Sequence, residues 1–380
     1  PQYDEICTAA LEAAIRSLEH GMTSFIPDGG GEEGASYLDY EMYLGLIPFL
    51  ECMDAAYGTD FCLPQVPGFK ESGYFMAYVN GSDGTDFRYH DYNPATYWPQ
   101  RYEMMWFASK YGDETLYKLA YGLSRNAPMI SKPMALFEKK TNGVYENDKL
   151  FTRAGIAVAT RNNAKLFIHA GDNNATHGQL DAGTFSYDFD GVRFACDAGG
   201  GDYDERYFTA PDEYYVNRAE AHNVYVINPD TSGGQVRKAT SSVCKVNDGE
   251  YGIDMTAAYA DKAYSAQRYF KLSEDNGSLS VRDEIIPVDD CEIKWFWSTE
   301  ATVTVVDAQT VRLYKNGKSL YLHFLSNAEF ELTSGDAVPL DPSITKGASK
   351  ISGLKKLTVS FSAKAGEKVH LEVTADRNRQ

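Results

Sequence analysis

Side chains able to move protons or hold a metal crowd into three short stretches of this sequence. The first is Gly171-Asp172-Asn173-Asn174-Ala175-Thr176-His177-Gly178-Gln179-Leu180-Asp181-Ala182-Gly183-Thr184-Phe185. It is a polar loop whose glycines permit tight backbone paths, and it carries Asp172, His177, Gln179 and Asp181 close together. An imidazole that titrates near neutrality beside carboxylates suits general acid–base work or metal binding. The plain alternative is a turn whose Asn and Asp side chains cap their own backbone. The second stretch is Phe194 to Tyr203, where Asp197 ends an apolar run just before Gly199-Gly200-Gly201. A carboxylate at the mouth of a strand can be a ligand, or simply a turn former. In the third, Tyr214 to Val224, Arg218 and His222 precede another apolar run. The planar fork of Arg218 suits a carboxylate or sulfate, or pins the loop through Glu220 or Asp212. His90, in the aromatic and charged loop Phe87 to Tyr92, and Tyr214 or Tyr215 are candidate sugar contacts. His20, His169, His323 and His370 stand singly and read as structural or solvated.

The elements that must position these groups change character near residue 140. Before it the periodicity is helical: Leu11, Ile15 and Leu18 share one face, and Tyr40, Leu44, Ile47 and Leu50 share another within a run from Tyr37 to Ala56 that Pro48 kinks or divides. Residues 97–111 (Trp98, Tyr102, Met105, Trp106) and 114–123 form a further helical pair. Turn-rich segments at 27–31 and 80–84 separate them. After residue 140, period-two alternation takes over, beginning with a hairpin over 155–169 whose turn is Arg161-Asn162-Asn163. Further short strands follow to residue 373, and residues 126–150 read as the linker. The expected fold is α+β and multidomain: helical hairpins over 1–140, then a large antiparallel β-sandwich over 141–380.

The chain has 380 residues, 43% apolar and 24% charged, which excludes wholesale disorder. No apolar run reaches the ~18 residues of a membrane span. Thirty-six basic against 54 acidic residues give a net charge of −18, without the basic footprint of a nucleic-acid binder. The acidic start, Pro1-Gln2-Tyr3-Asp4-Glu5, is not a signal peptide and lacks an initiating Met, so the chain is expected to be processed or truncated. Six scattered cysteines form no CxxC pair and read as free, mostly buried thiols.

Taken together, the three stretches resemble the signature of the heparinase II/III family of polysaccharide lyases. That signature is an H-x-H/Q-x-D-x-G-S/T-F loop, a strand ending in Asp, then R-x-x-x-H-N before another strand. Here it is matched by His177 to Phe185, by Asp197, and by Arg218 through His222-Asn223. Upstream, Pro27-Asp28-Gly29 with Glu33 and Tyr37 is similar to the family's P-D-G…E-x-x-x-Y segment. The resemblance implies an (α/α) toroid followed by a β-sandwich, and cleavage of an anionic, uronic-acid-containing polysaccharide or oligosaccharide such as a glycosaminoglycan by β-elimination. It implies Tyr37 and His177 as catalytic groups. It also implies a structural divalent metal on Gln179, Asp197 and His222, with no organic cofactor. The ligand position often filled by His is Gln179 here, as in the heparinase III branch, which leaves zinc and calcium both open. The family's carboxylate-neutralising Asn has no match among the residues before Tyr37, so the first part of the toroid is expected to be missing. Two other readings of the same residues are a catalytically silent carbohydrate-binding relative and an (α/α)-barrel glycoside hydrolase. The latter would use Glu32, Glu33 and Asp91.

Overall fold

In a computed structural model, the described residues are 3–92, 102–123, 140–229, 232–347, 351 and 353–378. The chain divides into two compact units. One comprises Pro1–Gly31, Ser36–Tyr78 and Ala95–Tyr145; the other comprises Glu32–Ala35, Val79–Pro94 and Glu146–Gln380.

The first unit is helical. Its helices are α1 (Asp4–Gly21), α2 (Ala35–Glu41), α3 (Ile47–Tyr57), α4 (Phe69–Val79), α5 (Tyr102–Tyr111) and α6 (Glu114–Leu123). The long run expected from Tyr37 is divided by a π-helical turn, Met42–Leu46, with Pro48 seated in the first turn of α3. There its missing N–H costs nothing. Helices α5 and α6 form a hairpin whose turn is fixed by Asp113: its Oδ1 accepts the N–H groups of Thr115 (3.1 Å) and Leu116 (3.0 Å), an N-cap. Phe69 of α4 stacks against Phe107 at 5.0 Å. Helix α4 has no counterpart in the sequence reading. Trp98 and residues 126–139 of the expected linker lie outside the described residues, and its last residues, from Asp148, enter a strand.

The second unit is β. Its strands are β1 (Asp148–Phe151), β2 (Ile156–Arg161), β3 (Ala164–His169), β4 (Gly171–Asp172), β5 (Phe185–Phe189), β6 (Val192–Ala195), β7 (Tyr225–Ile227), β8 (Thr240–Ser241), β9 (Val243–Asn247), β10 (Glu250–Asp254), β11 (Ala263–Leu272), β12 (Leu279–Pro287), β13 (Cys291–Thr299), β14 (Thr302–Asp307), β15 (Thr310–Lys315), β16 (Lys318–Ser326), β17 (Phe330–Asp336), β18 (Lys355–Ala363) and β19 (Val369–Asp376). They build a five-stranded sheet (β1-β2-β3-β5-β6), an eight-stranded sheet (β14-β15-β16-β19-β12-β11-β10-β9) and a four-stranded sheet (β17-β18-β13-β7), with β4 paired to β8. The pairings within these sheets are antiparallel, and their inward side chains join one continuous apolar core.

Alternation explains the layering. In β12, Leu279, Val281 and Ile285 point inward while Arg282 is exposed. Asp283 breaks the apolar pattern on that inner face and is buried. It is tolerated because Arg268, directly opposite on β11, forks onto both its oxygens at 2.8 and 2.7 Å. Arg268 also donates to the carbonyls of Gly183 (2.7 Å) and Asn223 (2.6 Å). The core thus ties down the two loop ends that carry the signature residues. The six cysteines are free, but only Cys196 and Cys291 are buried; Cys7, Cys52, Cys62 and Cys244 are exposed, because they sit on element surfaces rather than in the apolar layers as expected.

Candidate active site

Within the β unit, His177 stands in the loop between β4 and β5, with a left-handed backbone (φ 61). Its ring is partly open to solvent, 18% exposed. Nδ1 lies 3.3 Å from the phenolic oxygen of Tyr203 and 3.5 Å from Asp91 Oδ2. Nε2 faces Glu33 Oε2 at 3.9 Å. Burial raises the Glu33 carboxyl, partly offset by His177. The ring stacks on Tyr203 (6.0 Å, 25°) and meets Phe208 edge-on (5.5 Å). Tyr203 and Phe208 are both exposed, so the imidazole–phenol pair opens to solvent beside an aromatic platform.

Asp91 anchors this pair from behind. It is buried, and its Oδ1 accepts the Gln179 amide (2.7 Å) and the Tyr207 hydroxyl, while Oδ2 accepts from Tyr203 (3.2 Å). Its own N–H donates to the His177 carbonyl (3.1 Å), so loop 80–92 and the His177 loop are stitched together. Burial beside the Asp91 charge raises Tyr207 and keeps it protonated.

Asp197, at the end of β6, is buried and meets His222 Nδ1 at 2.8 Å. Its other contacts are Thr184 Oγ1 (3.0 Å) and the Gly199 N–H (3.0 Å). Burial opposes a charge on His222, but the Asp197 carboxylate outweighs it and raises the imidazole. Gln179 is held on Asp91 and on the Gly199 carbonyl (3.4 Å). Gln179 Oε1 and His222 Nε2 are buried without a well-aligned hydrogen bond among the described residues. Each such orphan costs about 1–3 kcal/mol. A cation could relieve that cost, and one amide oxygen, one carboxylate and one imidazole form a fitting donor set for it.

The substrate contacts expected of Arg218, Tyr214, Tyr215 and His90 need correction, because all four are buried. Arg218 forks onto Glu220 (2.9 Å) and the Asp212 carbonyl (3.1 Å), pinning its own loop. Tyr214 hydrogen-bonds Asp204, and Tyr215 accepts from Lys356 (3.0 Å). His90 turns its ring inward against His169, with ring centroids 4.5 Å apart. His169, read from the sequence as ordinary, is fully buried beside Asp181. Burial lowers its basicity, more than the Asp181 carboxylate restores. Sequence reasoning passed over Tyr203, although it follows the glycine run, and named Asp91 only as a carboxylate of the hydrolase alternative. Tyr37 belongs to the helical unit, in the first turn of α2, and is half-buried.

The β-sandwich with this loop constellation defines a class before any name. The family model described as "Heparinase II/III-like, C-terminal" matches residues 145–366, more than half of the chain, and the chain belongs to that family. Among solved structures it is similar to heparan sulfate lyase HepC from Pedobacter heparinus. The TM-score is 0.70 at 15% identity, over 96% of this chain and 55% of that one. It is likewise similar to heparinase III, with TM-score 0.69 and 15% identity over 94% of this chain and 56% of the other. The chain thus spans little more than half the length of the structures it matches, and at this identity the likeness is one of fold. No curated protein matches the sequence.

Proposed function

We propose that the protein is a polysaccharide lyase that cleaves a uronic-acid-containing polysaccharide or oligosaccharide by β-elimination. The observation that carries this reading is the solvent-facing His177–Tyr203 pair, with Nδ1 and the phenol 3.3 Å apart, backed by buried Asp91. In β-elimination a base removes the C5 proton, the electrons form a C4=C5 double bond, the C4–O4 bond breaks, and an acid protonates O4. His177 is the proton-transfer group common to all versions of this account. Its Nδ1 is occupied by Tyr203 and Asp91, so Nε2 is the nitrogen that serves the sugar.

Two phenols compete for the second proton transfer. Tyr37 is nominated by the upstream motif, and Tyr203 by its position against His177. A divalent metal on Gln179, Asp197 and His222 would fix the signature loop from behind and would not touch the substrate. The family resemblance and the HepC-like fold support the substrate class, an anionic polysaccharide.

The test is formation of unsaturated uronate by the protein at its full natural length, on a panel of uronic-acid polymers. Parallel variants are Tyr37→Phe, Tyr203→Phe and His177→Ala. Loss of an acid–base group costs about 10²–10⁴ in turnover. His177→Ala and one of the two phenol variants should fall by that amount. Near-normal turnover in His177→Ala would overturn the reading.

A further inference from the structure

Beneath the signature loop lies a second cluster of ligand-type side chains that the elimination chemistry does not use. His90, His169 and Asp181 are buried, and one ligand atom from each lies within 4.8 Å of the others. Asp181 Oδ1 is 3.2 Å from His90 Nδ1 and 3.4 Å from His169 Nδ1. Four ligands about 2.0–2.2 Å from a tetrahedral cation are themselves about 3.3–3.6 Å apart, so the two Asp181–imidazole separations lie close to the edges of a coordination shell.

Hydrogen bonding leaves most of these atoms poorly satisfied. The Gln179 N–H points at His90 Nδ1 (3.2 Å), which marks that nitrogen as the unprotonated one, and this is the bond a cation would replace. The Asp181 oxygen beside it then sets lone pair against lone pair. Neither Asp181 Oδ1 nor either ring nitrogen of His169 makes a well-aligned hydrogen bond among the described residues; Asp181 Oδ1 only faces the two imidazoles at 3.2 and 3.4 Å. The other Asp181 oxygen is held by the His90 N–H (2.8 Å), so the carboxylate cannot swing away. His90 takes a left-handed backbone (φ 52) to bring its ring there, and Tyr89 packs on His169 at 4.8 Å. Three segments distant in sequence converge: loop 80–92, the end of β3, and the His177 loop.

We propose that His90 Nδ1, His169 Nδ1 and Asp181 Oδ1 bind a divalent transition cation of the zinc class. Two imidazoles and one carboxylate form a borderline-soft donor set that favours such an ion over calcium or magnesium. The ion clips loop 80–92 to the sandwich and holds Asp91, the next residue after His90, behind His177. This site is distinct from the one proposed on Gln179, Asp197 and His222, and does not depend on it or on lyase activity.

The two sites differ in a countable way: the new one has two imidazoles, the other has one. The full chain is stripped with chelator, incubated with zinc chloride and freed of excess. Bound zinc is then measured by elemental analysis and its ligands by X-ray absorption. The expected result is retained zinc in a two-imidazole shell, a shell lost in His169→Gln and kept in His222→Gln. Chelation should also lower the melting temperature of the wild type. Absence of bound zinc, absence of a two-imidazole shell in His222→Gln, or its persistence in a folded His169→Gln variant would each overturn the proposal. If His169→Gln does not fold, the imidazole count on the His222→Gln chain decides.

Discussion

Arg268→Met removes a guanidinium that is fully buried and engaged on every side. It forks onto Asp283 at 2.8 and 2.7 Å and donates to Gly183 O at 2.7 Å and Asn223 O at 2.6 Å. Methionine fills much of the volume, so the cost is electrostatic rather than a cavity. Asp283 keeps one donor, Trp295 Nε1 at 2.8 Å, but loses its counter-charge in the core. Breaking one side of a buried ion pair costs about 3–5 kcal/mol. That is a large fraction of the ~5–15 kcal/mol that stabilises a typical domain. The double variant Arg268→Met/Asp283→Leu should regain more than half of the loss, because no uncompensated charge remains. Urea unfolding followed by tryptophan fluorescence reports on it, since Trp295 and Trp297 lie in this core. A loss below about 1 kcal/mol in the single variant, or no recovery in the double one, would refute the claim that this pair is what makes a charged inner face tolerable.

Lys356 is buried and donates to Tyr215 (3.0 Å), the Glu220 carbonyl (3.2 Å) and the Val338 carbonyl (2.9 Å). Burial pushes it down from 10.5 to about 8, only partly offset by Glu220, while Lys294 lowers it further. Between those values the unfolded chain keeps the proton and the folded one releases it, so this group adds stability as pH rises from 8 to 10.5, in all about 3 kcal/mol. Melting temperature against pH should rise more steeply, or fall less, in wild type than in Lys356→Gln; parallel curves would contradict the assignment. Gly183→Ala should destabilise by about 1–3 kcal/mol, since φ is +96 and an added Cβ would lie 2.2 Å from Met255 Sδ. Unchanged thermal melting would show that the loop end is more yielding than drawn. Tyr203→Phe should reduce formation of unsaturated uronate without shifting melting temperature, because its ring stays stacked on His177.

Much of the fold is legible because most strands bury one face. Strands such as β3, β12 and β13 carry apolar residues inward at period two or as continuous runs, and their limits fall close to the sequence reading. Strands β9, β14 and β17 have no buried stripe over most of their length, so they left no periodic signal. Helix α4 had no reading of its own in the sequence; its Gly73 is required there, because a Cβ would lie 2.7 Å from Phe107 Cβ. At the site, His177, Asp197 and His222 stood out through spacing. Tyr203 and His169 did not, nor did Asp91 in this role, because their significance comes from contacts 12 or more residues distant in the chain, such as Asp91 with Gln179 and His169 with Asp181. Tyr214 and Tyr215 sat nearer the motif than Tyr203, yet Asp204 and Lys356 draw them inward.

The central claim is elimination rather than hydrolysis or silent binding. The direct measurement counts two products of each cleavage by the protein at its full natural length on a uronic-acid polymer. New reducing ends are titrated, and conjugated C4=C5 bonds are read by ultraviolet absorbance. Elimination predicts one chromophore for each reducing end, and a fall of both by about 10²–10⁴ in His177→Ala. Reducing ends without chromophore would mean hydrolysis, and tight binding of the polymer with neither product would leave a carbohydrate-binding module; either result contradicts the account.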